Sequence, residues 1–287
     1  MYKSIVTEIV KRQKPKLLVI SAAAFSQGNW NLTDEVYLRK WIDNMPMSQN
    51  KLDTVKTIPK NINKDDEKVK DNISDTLYFP LKKYHGNWKD PEAVYTSFVT
   101  RAYMRLSGGG YLKGFYSKTG ITGGRDNLAN IGQPTKEAYM LTDECRAYLK
   151  ELLSYCNKLG IEHVLLLQPP HETQAADKSG LEQIESITKE YGYDFLDLST
   201  DYESIAGIDD SHDFADFEHL NAYGAKKLTA YIGDMAVNQY GIKSDTAKSE
   251  LSRWKKSVKR TKKALKMARE YTDRGEAQVV GEYEAAK

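Results

Sequence analysis

Apolar residues at Ile5, Val6, Ile9 and Val10, closing on a basic turn, predict a helix over residues 2 to 12. Pro15 then introduces LLVISAAAF, a continuous apolar run bounded by polar residues, which reads as a buried parallel strand. The order recurs over residues 141 to 168, where LTDECRAYLKELLSYCNKLG offers an N-cap at Thr142 and a stop at Gly160 before IEHVLLLQPP. A third copy follows, with LEQIESITKEYG leading into YDFLDLS. Strands alternating with helices of about a dozen residues predict βαβ units, right-handed crossovers and a parallel sheet covered on both faces. The expected fold class is α/β.

Between the first two of these strands, residues 29 to 135 form an insertion with lysine-rich (KNINKDDEKVKDN) and glycine-rich (SGGG, TGITGG) stretches. A crossover of that length should carry its own helices and hang over one end of the sheet, where insertions shape sites. SGGGYLKG and ITGGRD lack the spacing and the strand-to-helix context of a phosphate loop, and read as turns.

After Gly241 the composition changes. KSELSRWKKSVKRTKKALKMAREYTDRG holds eleven Lys or Arg against three acids, with Leu251, Trp254, Val258, Leu265 and Ala268 near heptad spacing. The expected division is therefore an α/β domain over 1–243 and a basic amphipathic helical tail over 244–287. The first expectation is that this helix packs its apolar stripe on the domain. Contact with a membrane surface or an acidic polymer comes second, and nucleic acid last.

Over the whole chain of 287 residues, 40% hydrophobic and 10% aromatic content is a globular composition, and 42 basic against 40 acidic residues leaves a formal charge of +2 that selects no partner. Cys145 and Cys156 stand eleven apart in one predicted helix, so they cannot face each other and have no partners at zinc spacing. Both read as buried thiols, and neither a metal nor a cofactor is expected. No run approaches the roughly eighteen apolar residues of a membrane span, and MYKSIVTEIVKRQKPK is too charged for a signal peptide. These features give a cytoplasmic expectation for the chain taken by itself.

The candidate chemistry lies in DFEHLNAYGAKKLTAYI, residues 216 to 232. Asp216 precedes His219 by three positions just where a helix should begin. In hydrolases that activate a serine, an imidazole is the base and a carboxylate holds its other nitrogen. A loop after the last strand of an open α/β sheet places such a pair at the carboxyl end, where ligands bind. The helix that follows offers Ala225, Leu228, Ile232 and Met235 as its apolar anchor.

FxDxxHLNxxGAxxLT, preceded by YDFLDLS and VLLLQPPHE, resembles the C-terminal half of the SGNH (GDSL-type) hydrolase superfamily. The nearer likeness is to its membrane-anchored, cell-envelope branch, which includes the teichoic-acid D-alanylation protein of the Dlt system and polysaccharide O-acetylation proteins. There KPKLLVI looks like the middle strand, LRKWIDNMPMSQNKL like the insertion's first helices and PLKKYHGNWKD like a Tyr-His-x-x-Trp segment, so the likeness runs from about residue 14 to 240. The resemblance implies a three-layer, flavodoxin-like sheet with a long helical insertion. It makes His219 the general base and Asp216 its orienting acid. His85 and Trp88 become candidates for the rim of the substrate cleft, and Gln168 and His171, with Pro170, for its lining, although a hydrogen-bonded loop histidine remains the plainer reading of His85 and His171.

The superfamily's nucleophile lies in a Gly-Asp-Ser block at the end of the first strand, and the sequence has no Gly-Asp-Ser. Laid on LLVISAAAFSQG, the block would put alanine at the nucleophile position and leave Ser21 and Ser26 as the nearby hydroxyls, with Asn29 and Asn31 beyond. The better alignment makes LLVISAAAF the third strand of the fold, with the serine-bearing strands ahead of Met1. An apolar edge would then be open to another polypeptide or to a second copy of the chain, and an extracytoplasmic, membrane-anchored location is expected if such an N-terminal part exists. The implied activity is serine esterase or acyltransferase chemistry on O-acyl groups of cell-envelope glycopolymers, with the chain supplying the acid and base and expected to be incomplete or inactive without the nucleophile block. The alternative is a non-catalytic module that binds glycopolymer or a membrane surface, or serves assembly.

Overall fold

The computed structural model describes residues 2–26, 39, 41–43, 45–58, 77–78, 89–92, 94–95, 99, 112, 114–121, 141–170, 179–216, 219–243, 248–281 and 284. The α/β expectation holds. Strands β1 (Leu17–Ser21), β3 (His163–Gln168) and β4 (Asp194–Asp197) form a parallel sheet in the order β1-β3-β4. Helices α1 (Tyr2–Arg12), α4 (Asp143–Lys158) and α5 (Ser179–Glu190) stand where the hydrophobic spacing puts them. The expected cap and stop hold: Thr142 Oγ1 accepts from Cys145 N at 3.2 Å, and Gly160 adopts left-handed backbone (φ 69°) after α4; Gly192 (φ 79°) does the same after α5.

Alternation along the strands divides the core. Leu18, Ile20, Val164 and Leu166 face α1, α4 and α5, joined by Val6, Leu149, Leu152 and Ile184. Both cysteines are free and buried in that layer. Leu167 and Leu196 face the opposite way, toward Tyr202 of α6 (Tyr202–Ala206) and toward Phe214, Leu228 and Ile232. Leu228 and Ile232 belong to α7 (Ala222–Asn238), where two of the four expected anchor positions thus contribute to this cluster. Among the described residues β1 has β3 as its one strand neighbour, and Val19 is 42% exposed.

The apolar run read as one long strand is shorter than its hydrophobicity suggests. The strand stops at Ser21, and Ala23–Ser26 turn into a short helix, α2. Ser21 Oγ accepts from Ala23 N at 3.4 Å, and Ala22 N donates to Leu167 O at 2.7 Å, so the chain leaves the sheet at a residue still tied to it. Phe25 is then fully buried between the rings of Tyr2 and Tyr148.

Within the insertion, helix α3 (Gln49–Thr57) packs on α1, with Asn50 Nδ2 donating to Ser4 O and Glu8 Oε1. A two-residue strand, β2 (Ser117–Lys118), pairs antiparallel with β7 (Val279–Val280) near the other end of the sequence. Between them in sequence lies α8 (Lys248–Asp273), which buries Ala264, Ala268 and Thr272 beside Leu112, Ala222 and Val280. The expected packing stripe therefore holds for the second half of this helix, whereas Leu251, Trp254 and Val258 in the first half are exposed. Among the described residues no helix is long and apolar enough to cross a membrane.

Candidate active site

Asp216 and His219 lie on a short antiparallel hairpin, β5 (Phe214–Asp216) with β6 (His219–Leu220), that precedes α7. The hairpin register pairs Asp216 with His219 directly. Its base is set by Phe214, fully buried in the cluster that holds Leu167 and Leu198, which lie toward the carboxyl ends of β3 and β4. An aromatic anchor against those strand ends places the pair toward the carboxyl end of the sheet.

The turn ahead of the hairpin is fixed by a fully buried carboxylate. Asp213 Oδ2 accepts from Asp209 N at 2.7 Å and from Lys227 Nζ at 2.6 Å, its Oδ1 lies 3.0 Å from His212 Nδ1, and its carbonyl accepts from Asn221 N at 2.9 Å. A buried charge held by this many donors is compensated in place. His212, packed edge-on against Tyr223, is part of this support.

Asn221 ties the hairpin to its surroundings. Its side-chain oxygen caps α7 by accepting from Tyr223 N and Gly224 N, and its amide donates to His212 O at 2.6 Å and Gly120 O at 3.2 Å. All the polar capacity of a fully buried amide is thereby used. Gly224 lets the helix approach, because a Cβ there would stand 2.5 Å from Asp213 O and 2.8 Å from Leu220 Cδ2.

At the hairpin's tip, Asp216 Oδ1 lies 2.7 Å from His219 Nδ1. The carboxylate can only accept, so Nδ1 carries the proton in this contact and the Nε2 lone pair is left for chemistry; the tautomer is assigned from the partners. Among the described residues Nε2 makes no hydrogen bond, and the ring is 40% exposed.

A cation completes the group. Lys118 Nζ is 2.9 Å from Asp216 Oδ2 and 3.1 Å from His219 Nδ1. A nitrogen that donates to Asp216 cannot accept from an ammonium at the same time. Two arrangements therefore compete at Nδ1: a proton shared with Asp216 while Lys118 rests on the second carboxylate oxygen, or a lysine donating to a bare Nδ1, which leaves the proton on Nε2. The first yields a base. Lys118 itself is held by the β2–β7 ribbon, where Thr119 Oγ1 bonds Glu276 O at 2.5 Å and accepts from Gln278 N at 2.7 Å, and Gly120 N donates to Thr272 Oγ1 at 3.3 Å. The C-terminal segment thus sets the cation that faces the pair.

Of the six candidate residues, Asp216 and His219 are brought together. Gln168 is buried at the end of β3, its carbonyl accepting from Leu198 N at 3.0 Å. His85, Trp88 and His171 lie outside the described residues, as do Asn29 and Asn31. Ser21 Oγ accepts from Ala23 N at 3.4 Å at the turn into α2. Lys118 went unread in the sequence, since a two-residue strand has no periodicity and its ion pair spans 98 positions. Among the described residues no group of three or more His, Cys, Asp or Glu side chains is disposed to hold a metal ion. No family model matches the sequence, and no curated protein or solved structure matches it.

Proposed function

We propose that this chain carries the acid and base of an SGNH-type serine esterase or acyltransferase, built on a flavodoxin-like sheet and acting on O-acyl groups of cell-envelope glycopolymers. The observation that supports this reading is the 2.7 Å contact between Asp216 Oδ1 and His219 Nδ1 on a supported hairpin, with Nε2 making no hydrogen bond among the described residues. The substrate class rests on the sequence resemblance.

In the reaction, Nε2 takes the proton of a serine hydroxyl as its oxygen bonds the acyl carbon. Asp216 holds the imidazolium that forms. The carbon–oxygen bond to the sugar breaks, and Nε2 returns its proton to the departing alkoxide. Water or a second sugar hydroxyl then attacks the acyl-serine by the same route in reverse. The sequence contains no Gly-Asp-Ser, so for this chain to act by itself the attacking hydroxyl has to be one outside such a block, and experiment has to locate it.

A fluorophosphonate probe, which phosphonylates only an activated hydroxyl, does this directly. The reading expects a single adduct, mapped by peptide mass spectrometry, that disappears in His219→Gln. Absence of any adduct on the folded chain, or an adduct unaffected by His219→Gln, overturns it.

A further inference from the structure

The first half of α8 presents a half-exposed apolar stripe flanked by lysines. Leu251, Trp254 and Val258 stand at i, i+3 and i+7, one stripe of the helix, and are 42%, 44% and 50% exposed. Beside them Lys248, Lys255, Lys256 and Lys259 line a shallow groove with Leu251 and Ser252. Among the described residues none of these four lysines has a carboxylate partner, and Glu250 is the only acid between residues 248 and 263.

We infer that this face lies on an anionic lipid bilayer, with the three apolar side chains at the boundary between headgroups and acyl chains and the lysines among the anionic headgroups. Charge complementarity selects an anionic partner. The apolar stripe selects a bilayer over a soluble polyanion: a polymer in water gains from the lysines alone, whereas an interfacial helix also removes Leu, Val and Trp from water, and an indole suits the boundary in particular. The second half of the helix supplies the anchor. Ala264 and Ala268 are fully buried against the domain, and Tyr223 OH donates to Asp273 Oδ1 at 2.8 Å, so the exposed face is held by a docked element.

The test is sedimentation of the full chain with vesicles of phosphatidylcholine containing 30% phosphatidylglycerol, with pure phosphatidylcholine vesicles and soluble poly(glycerol phosphate) as comparisons. Binding to the anionic vesicles is expected, with little to the neutral ones. Lys255→Gln with Lys256→Gln and Lys259→Gln should weaken it roughly a hundredfold. Leu251→Ser with Trp254→Ser and Val258→Ser should abolish vesicle binding while leaving any polymer binding intact. The emission blue shift on binding should vanish in Trp254→Phe. Because these positions are exposed, unchanged melting temperatures of the variants confirm that folding is not what is being read. No binding to anionic vesicles overturns the inference, as does vesicle binding that survives the apolar triple substitution, since that is the behaviour of a surface suited to any polyanion.

Discussion

Lys118 Nζ sits 2.9 Å from Asp216 Oδ2 across 98 positions of sequence, so the carboxylate that orients His219 is itself oriented from the far side by a cation. With both oxygens engaged, Asp216 cannot rotate freely away from Nδ1. Lys118→Met should therefore lower His219-dependent acyl release on the order of tenfold, which corresponds to about 1.4 kcal/mol, near the low end for a hydrogen bond to a charged group at a partly exposed site. Long-range nitrogen–proton NMR of the imidazole checks the cause, by reporting which ring nitrogen carries the proton in each protein.

The same contact makes the C-terminal segment part of the site. Thr119→Val removes the hydroxyl that bonds Glu276 O and Gln278 N, loosening the β2–β7 ribbon without touching Lys118. Its effect on acyl release should resemble that of Lys118→Met, and the double variant should be little worse than either single one. Additive losses in that cycle would mean that the ribbon and the lysine act separately.

Two glycines of α7 separate space from propensity. Gly233 has nothing within 4 Å of an added Cβ, so Gly233→Ala should gain up to about 1 kcal/mol in urea unfolding through helix propensity. Gly224→Ala enjoys the same propensity but places a methyl 2.5 Å from the main-chain oxygen of Asp213, and should lose about 1–3 kcal/mol net. Asn221→Ala, which orphans four partners around a fully buried amide, should cost about 2–4 kcal/mol and reduce acyl release through the hairpin it holds.

Alkaline pH should weaken the fold through the α1/α4/α5 layer. Burial pushes the Cys156 thiol up to about 11 from 9.0, and the Tyr148 and Tyr193 phenols up to about 12 from 10.0. The native state then holds protons that the unfolded chain releases, so the stability they contribute is complete below about pH 9 and falls as the pH rises toward 11 and 12. Urea midpoints measured from pH 8 to 11 check this. At pH 8 neither thiol should react with a disulfide reagent until the chain is unfolded.

The elements that the sequence makes legible are those stated locally. The period of Ile5, Val6, Ile9 and Val10, the N-cap at Thr142, the stop at Gly160 and the apolar runs of β1 and β3 each carry their own signal. Asp216 and His219 were legible as a pair for the same reason, being three positions apart ahead of a cap. What stayed hidden depends on distant partners. The hairpin strands are two and three residues long, too short for alternation to show. Lys118 reaches the site only because Val279 and Val280 pair with its strand. The alanines after Ser21 continue the hydrophobic run without continuing the strand, because Ser21 captures the next turn. Along α8 the apolar spacing runs through both halves, and the second half buries its Ala264 and Ala268 while Leu251, Trp254 and Val258 stay half-exposed.

The most direct test of the account is the rate of acyl release from an O-acylated cell-envelope glycopolymer by the wild-type chain and by His219→Gln, read at one pH and protein concentration. The account predicts release above the buffer rate for the wild type, and loss of that excess in the variant. Equal rates for the two proteins would contradict it.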